Sequence, residues 1–239
     1  MKPPKLATPA EWLQHRRLLL EKEKELSRLQ DALARQRKEL PWVRLEKNYE
    51  FDGAAGKVRL SDLFSGKSQL IIYHFMFGPG WSEGCPSCSL MSDQFDATLC
   101  HLAARDVAFA VVSRAPYAEI APFKKRMGWS FLWVSSFETD FNRDYNVSFS
   151  REEVKGGKQF YNFGPNGFPS EEGPGISVFA KDDEGALYHT YSTYARGAEP
   201  MLNVYQFLDI TPKGRAEEGL PWPMAWVRHH DRYEGPSAA

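Results

Sequence analysis

The chain has 239 residues, 42% of them hydrophobic and 26% charged, with a formal net charge of −1. That composition suits a core of ordinary size and excludes a disordered or fibrous chain, while the near balance of charge, with no basic block, argues against nucleic acid as a partner. Three cysteines in such a length are no disulfide scaffold, and neither a signal peptide's apolar stretch nor a membrane-spanning run is present. The expected setting is therefore the cytoplasm, where a disulfide is transient rather than structural.

Thr8-Pro9-Ala10-Glu11 is a capping box with proline at the first helical position. It starts a helix that Pro41 ends, on the order of 30 residues long. Trp12, Leu19, Leu26, Leu33 and Leu40 recur at seven-residue steps, with Leu29 partly filling a second seam position. Lys22 and Gln36 interrupt that seam, so the pattern is coiled-coil-like but gapped. Two expectations stay open for this arm, residues 1–45: packing along its own domain, or contact with a second copy in a homodimer.

Tyr49-Glu50-Phe51 and Val58-Arg59-Leu60 flank Asp52-Gly53-Ala54-Ala55-Gly56 as a hairpin, and Ser61-Asp62-Leu63-Phe64 reads as a short capped helix. Gln69 to Phe77 is apolar and aromatic almost throughout, as in a strand covered on both faces, until Gly78, Pro79 and Gly80 end it. Cys85-Pro86-Ser87-Cys88 then opens a helix along which Leu90, Met91, Phe95, Leu99 and Leu102 fall at helical spacing. Val107 to Ser113 is a second buried strand. Pro116 to Met127 is an amphipathic helix with Ile120, Phe123 and Met127 inward, Phe131 to Val134 a short strand, and Asp140 to Val147 a turn or short helix. Ser148 to Pro174, rich in Gly, Pro and Glu, is a long excursion of the kind that often carries function. Ile176 to Ala180 and Ala186 to Tyr191 pair as an antiparallel hairpin, and a helix from Glu199 to Leu208 closes a domain spanning 46–210. The tail, 211–239, includes Leu220 to Tyr233, which is too aromatic to float free and is expected to pack on the domain or on a partner subunit.

Two cysteines three apart, at the start of a helix that follows a central strand, are what dithiol redox chemistry needs. The first helical turn presents unpaired N–H groups and the positive end of the helix dipole, both of which favour a thiolate. In Cys-X-X-Cys such cysteines reach pKa values of roughly 3.5–7.5. The spacing puts Cys85 and Cys88 on one helix face within joining reach, and Pro86 suits an early position where its missing N–H is no loss. Cys85, nearer the solvent, is the expected nucleophile and Cys88 the resolving thiol. Two other readings stand beside this one. The pair is half of a zinc site shared across a dimer, since the chain lacks a second ligand pair of similar spacing, or it is inert. No cofactor or metal is expected in the redox reading.

The order strand, CXXC helix, strand, helix, then a proline-led hairpin and a last helix resembles the thioredoxin-like superfamily over roughly Tyr49 to Leu208, in the branch with a hairpin ahead of the core. More closely, YHFMFGP, GCPSCS, SRAP, MGWSFLWVSS and TYSTYARG resemble a bacterial thioredoxin-like family known only as a domain of unknown function (family 899), over nearly the whole chain. The superfamily resemblance implies an α/β three-layer sandwich, a central mixed sheet with helices on both faces. It also implies a thiol–disulfide oxidoreductase acting on a disulfide-bearing protein or a small-molecule thiol. By the same resemblance Pro174 matches the cis-proline that faces the dithiol. His74 occupies the slot of a buried acidic residue; it is either a hydrogen-bonded core residue or, if it lies under Cys88, a relay for a proton to or from that thiol. The chain departs from the thioredoxin pattern at Gly84, where a tryptophan usually precedes the first cysteine. Trp81 stands four residues ahead of Cys85 instead, in a loop longer than usual.

Peroxiredoxins suggest a second enzymatic reading, a thiol peroxidase acting on a peroxide. Ser82 stands where they keep Thr or Ser, Pro79 is one residue too close, and Arg114 or Arg196 would supply the cation beside the thiolate unless each instead caps an element or is solvated at the surface. A third reading is a thioredoxin fold used as a non-catalytic binding or dimerisation module.

Overall fold

The computed structural model of the protein describes residues 5–234. Thr8 caps α1 (Pro9–Lys38) as expected: its side chain accepts from the Glu11 N–H, and the Glu11 carboxylate accepts from the Thr8 N–H at 2.8 Å. Arg35, Arg37 and Lys38 fill the last turn, where cations oppose the negative end of the helix. Residues up to Pro41 form one compact unit, and those from Trp42 onward form another. Nothing on α1 is buried, and the seam residues Trp12, Leu19, Leu26, Leu33 and Leu40 are all exposed. Among the described residues no helix is long and apolar enough to cross a membrane.

The second unit runs β1 (Val43–Arg44), β2 (Glu50–Gly53), β3 (Gly56–Arg59), a 3-10 turn (Asp62–Phe64), β4 (Gln69–His74), α2 (Pro86–Ser92) and α3 (Phe95–Ala103). It continues through β5 (Val107–Ser113), α4 (Tyr117–Arg126), β6 (Trp133–Ser135), α5 (Phe141–Asp144), α6 (Arg151–Gly156), β7 (Gly175–Lys181), β8 (Leu187–Tyr194) and α7 (Asn203–Asp209). Among the described residues, all eight strands share one sheet in the order β1-β8-β7-β4-β5-β6-β2-β3. β4, β5 and β6 are mutually parallel, and β7 joins β4 antiparallel with β8 beyond it. A strand that feeds a cysteine-bearing helix, crosses to a parallel neighbour and receives an antiparallel hairpin on its other edge gives the thioredoxin-like arrangement. The β2–β3 hairpin extends it through Asp52 opposite Ser135.

Central position buries β4 on both sides, and its residues alternate between them. Leu70 and Ile72 join one cluster with Phe51, Phe64, Val112, Phe141 and Phe179, under the 3-10 turn, α5 and α6. Tyr73 and Phe75 join the other with Cys88, Phe95, Ile120, Phe123 and Trp133, under α2, α3, α4 and α7. Each fully buried Phe contributes roughly 1.5–3 kcal/mol of apolar burial.

Several elements differ from the sequence expectation. The cysteine helix is broken at Asp93 and Gln94, and both side chains are tied to other parts of the fold. Asp93 accepts from the Trp129 indole at 2.9 Å, and the Gln94 amide donates to the Met201 carbonyl at 2.5 Å. The closing helix is also split, into a 3-10 stretch (Ala195–Met201) and α7; Pro200, which has no N–H to donate, lies within the first part. The excursion from 148 to 174 has internal order. Ser150 and Glu153 form a capping box at the start of α6, and Gln159, Tyr161 and Glu172 are buried. Val43 and Arg44 pair with His189 and Tyr188, so they belong to the sheet. In the tail, Val227 and His229 are buried.

Candidate active site

Beyond β4 the chain stays extended. The Phe75 N–H donates to the Val112 carbonyl at 2.9 Å, and the Ala115 N–H donates to the Phe77 carbonyl at 2.7 Å. The following loop turns at Gly80, whose φ of 76° a side chain would strain. Cys85 is the N-cap of α2. Its N–H donates to the Met76 carbonyl at 3.0 Å, while its own carbonyl accepts from the Ser89 N–H and hydroxyl, each at 2.9 Å. Pro86 takes the first helical position, as its chemistry suggests. Gly84 is there for want of room: a Cβ would stand 2.5 Å from Phe75 Cε1 and 2.8 Å from Phe123 Cε1. No tryptophan fits at that point, and Trp81 packs against the same cluster from further up the loop.

Both cysteines are free thiols; Cys85 is half-buried and Cys88 is 2% exposed. The Cys88 thiol donates to the Cys85 sulfur. That bond, aided by the N–H groups of Cys88 and Ser87 and by the Ser87 hydroxyl against the opposing effect of burial, lowers the Cys85 pKa to about 7. Cys88 moves the other way. Burial first, then the neighbouring Cys85, raises it well above the ordinary thiol range, partly offset by hydrogen bonds from the Tyr73 hydroxyl and the Met76 backbone. Near neutral pH the outer sulfur is therefore substantially thiolate and the inner one a thiol. Tyr73, raised well above the ordinary phenol range first of all by its own burial, remains a protonated donor.

The remaining expected site residues divide. His74 does not lie under Cys88. Strand alternation turns its side chain to the opposite face, where Nε2 meets Ser177 Oγ at 2.8 Å and the ring stacks on Tyr145. The bond before Pro174 is trans rather than cis. That corner is set by Tyr161, whose hydroxyl donates to the Pro174 carbonyl at 2.7 Å and accepts from the Ala195 N–H at 3.1 Å. Neither arginine serves the thiolate. Arg114 pairs at 2.6 Å with the buried Glu172, which also accepts from Ser148, and Arg196 pairs at 3.0 Å with Glu199. A buried carboxylate needs its cation more than a half-exposed sulfur does. Ser82 is exposed. Cys100 and His101 are exposed on α3, and among the described residues no group of three or more His, Cys, Asp or Glu stands together as a metal site.

Sequence reasoning missed Tyr73, Tyr161 and His229. Counting strand parity back from the dithiol face would have found Tyr73. Tyr161 reaches the Pro174 carbonyl and the Ala195 N–H from within the long excursion, and His229 Nε2 lies 2.9 Å from the Gly84 carbonyl. No local signal marks either of these two.

The family described as bacterial proteins of unknown function, DUF899, matches residues 1–233, so the chain belongs to that family. No functionally curated protein matches the sequence. Among solved structures, a peroxiredoxin Q variant from Xylella fastidiosa is 14% identical, covering 70% of this chain and 94% of its own, with a TM-score of 0.44. A peroxidoxin from Mycobacterium tuberculosis is 13% identical over 71% of this chain and 97% of its own, also at 0.44. A protein from Chlorobium tepidum described as a thiol:disulfide interchange protein is 13% identical over 70% and 94%, at 0.43.

Proposed function

We propose that this member of the DUF899 family is a thiol–disulfide oxidoreductase in which Cys85 attacks the disulfide of a protein or small molecule and Cys88 resolves. The observation that carries the reading is the placement of the two sulfurs at the start of α2, Cys85 half-buried at the N-cap and Cys88 buried one turn further in, with Cys85 drawn down to about 7 and Cys88 pushed up. A thiol with a pKa near ambient pH combines a large thiolate fraction with retained nucleophilicity. In the cytoplasmic setting that the cysteine usage suggests, the resulting disulfide is transient.

The Cys85 thiolate attacks one sulfur of the substrate disulfide, forming a mixed disulfide and expelling the other sulfur as a thiolate. Cys88 then attacks the Cys85 sulfur. The second substrate sulfur leaves and takes up the proton that Cys88 gives up, and the Tyr73 hydroxyl stabilises Cys88 as its charge develops. Two electrons have passed to the substrate, the pair is a disulfide, and an external thiol or dithiol resets it. Peroxide reduction by the same thiolate has less support, because Arg114 and Arg196 are both held by carboxylates. The same reading has the chain working as a homodimer. The exposed seam on α1 repeats at seven-residue steps, a pattern that suits a second copy of itself.

Mass analysis after thiol labelling, across a defined redox buffer, tests the chemistry. Wild type should lose two hydrogens reversibly at Cys85 and Cys88, and Cys85→Ser should not. Tight zinc retention without a disulfide would sink the reading, and faster turnover of hydrogen peroxide than of disulfides would replace it with the peroxidase. For the dimer, Leu26→Lys should convert a sedimenting dimer to monomer; an unchanged species of either size would refute that contact.

A further inference from the structure

We infer that His229 is a positioning residue for the dithiol, holding from the C-terminal tail the peptide group in front of Cys85; the inference rests on the oxidoreductase reading above. The peptide plane between Gly84 and Cys85 offers one donor and one acceptor, and both are taken. The Cys85 N–H donates to the Met76 carbonyl at 3.0 Å, and the Gly84 carbonyl accepts from His229 Nε2 at 2.9 Å. A planar unit pinned at both edges cannot rotate. The direction from which the Cys85 sulfur meets the N–H groups of Ser87 and Cys88 is thereby set.

The surroundings choose the tautomer this requires. Arg126 Nη2 lies 3.2 Å from His229 Nδ1, and a guanidinium only donates. Nδ1 therefore accepts, and Nε2 carries the hydrogen directed at Gly84. Arg126 is itself fixed by Glu83 at 2.9 Å and by both oxygens of Asp231 at 2.8 and 2.9 Å, and Arg232 reaches Glu83 at 2.8 Å. On the far side of the dithiol, His230 meets Asp93 at 2.7 Å. Three of four consecutive tail residues, His229, His230 and Arg232, thus grip the chain before Cys85 and after Cys88, while Asp231 holds Arg126 on α4. His229 is 2% exposed and packs edge-on against Phe123, which shields its bond to Gly84 from competing water. The absence of a side chain at 84 lets the loop lie close against Phe75 and Phe123, beside the imidazole.

The test uses the full chain with His229→Phe, which keeps a ring and loses the donor, and His229→Gln, which keeps a donor at similar reach. Two readouts are taken on folded protein: the pH profile of Cys85 alkylation by iodoacetamide, and the dithiol–disulfide equilibrium in a glutathione buffer. His229→Phe should move the alkylation midpoint up by about one pH unit, so that the rate at neutral pH falls by up to about tenfold, and should displace the equilibrium. His229→Gln should recover most of both. An unchanged profile in His229→Phe overturns the inference, and so does His229→Gln failing as fully as His229→Phe. Should His229→Phe not fold, Arg126→Met carries the test, because it leaves the imidazole but removes the donor that fixes its tautomer; an unchanged Cys85 profile there is equally fatal. A wild type that forms no reversible disulfide defeats the oxidoreductase reading instead, since the alkylation profile is measured without turnover.

Discussion

Tyr73 and His74 are neighbours on β4, yet they serve opposite faces of the sheet. On the Tyr73 face, α2 brings two sulfurs against an aromatic wall of Phe75, Phe123, Trp129 and Trp133, and a phenolic hydroxyl meets Cys88. On the His74 face, a chain of hydrogen bonds runs from His74 to Ser177 at 2.8 Å, on to Ser192 at 2.9 Å, and on to His189 at 2.8 Å, between the rings of Phe141, Tyr145 and Phe179. Burial, and then the neighbouring His189, lowers His74 to about 3. Both faces hold buried polar groups in their neutral form, but only one has an outlet through a half-exposed sulfur. One face is built to react, and the other holds its histidines neutral in a buried hydrogen-bonded row.

The largest effect should come from the reacting face. Cys85→Ser should abolish disulfide exchange, and Cys88→Ser should leave substrate trapped on Cys85; intact-mass spectra of the reaction with a disulfide substrate read both. If Cys88→Ser turned over like wild type, the second sulfur would have no resolving role.

Next comes the histidine face. The unfolded chain takes up a proton at His74 below pH 6.5, and the folded chain refuses it down to about 3. Stability should therefore fall as pH drops through that window, by up to about 1.4 kcal/mol per pH unit. His189, also lowered by burial, adds in the same direction. His74→Phe should flatten this slope in urea melts between pH 6.5 and 4 while leaving Cys85 alkylation alone. Equal slopes, or an altered alkylation rate, would erase the contrast between the faces.

Gly84→Ala should overpack the sulfur face, costing about 1–3 kcal/mol of stability in a denaturant melt as Phe75 and Phe123 give way. An unchanged midpoint would mean that the loop has slack. The smallest effect belongs to Tyr73→Phe, which should slow collapse of the mixed disulfide about tenfold, the worth of one hydrogen bond to a developing charge. Rapid-quench measurement of that step checks it, and the initial attack by Cys85 should be unaffected.

The fold was legible because its signals are local. The capping box at Thr8, the seven apolar and small residues from Val107 to Ser113, and the inward Ile120, Phe123 and Met127 each specify an element without help from afar. The dithiol was legible for the same reason: four adjacent residues carry both sulfurs and the proline that starts their helix. Pro174, Arg114 and Arg196 were placed by likeness to other proteins. In this chain Tyr161 sets the corner that a cis-proline was expected to set, and Glu172 and Glu199 engage the two arginines.

The sequence by itself determined that a central strand would deliver two cysteines to a helix start, because hydrophobic runs, turn residues and helix caps act over a few residues. Only the tertiary structure decided which groups meet those sulfurs. The parity of β4 set Tyr73 rather than His74 beside Cys88, and chain closure over 145 positions brought His229 to Gly84. Side-chain direction in a strand reverses at every residue, and contact between distant segments depends on how whole layers pack, so neither is written in any short stretch of sequence.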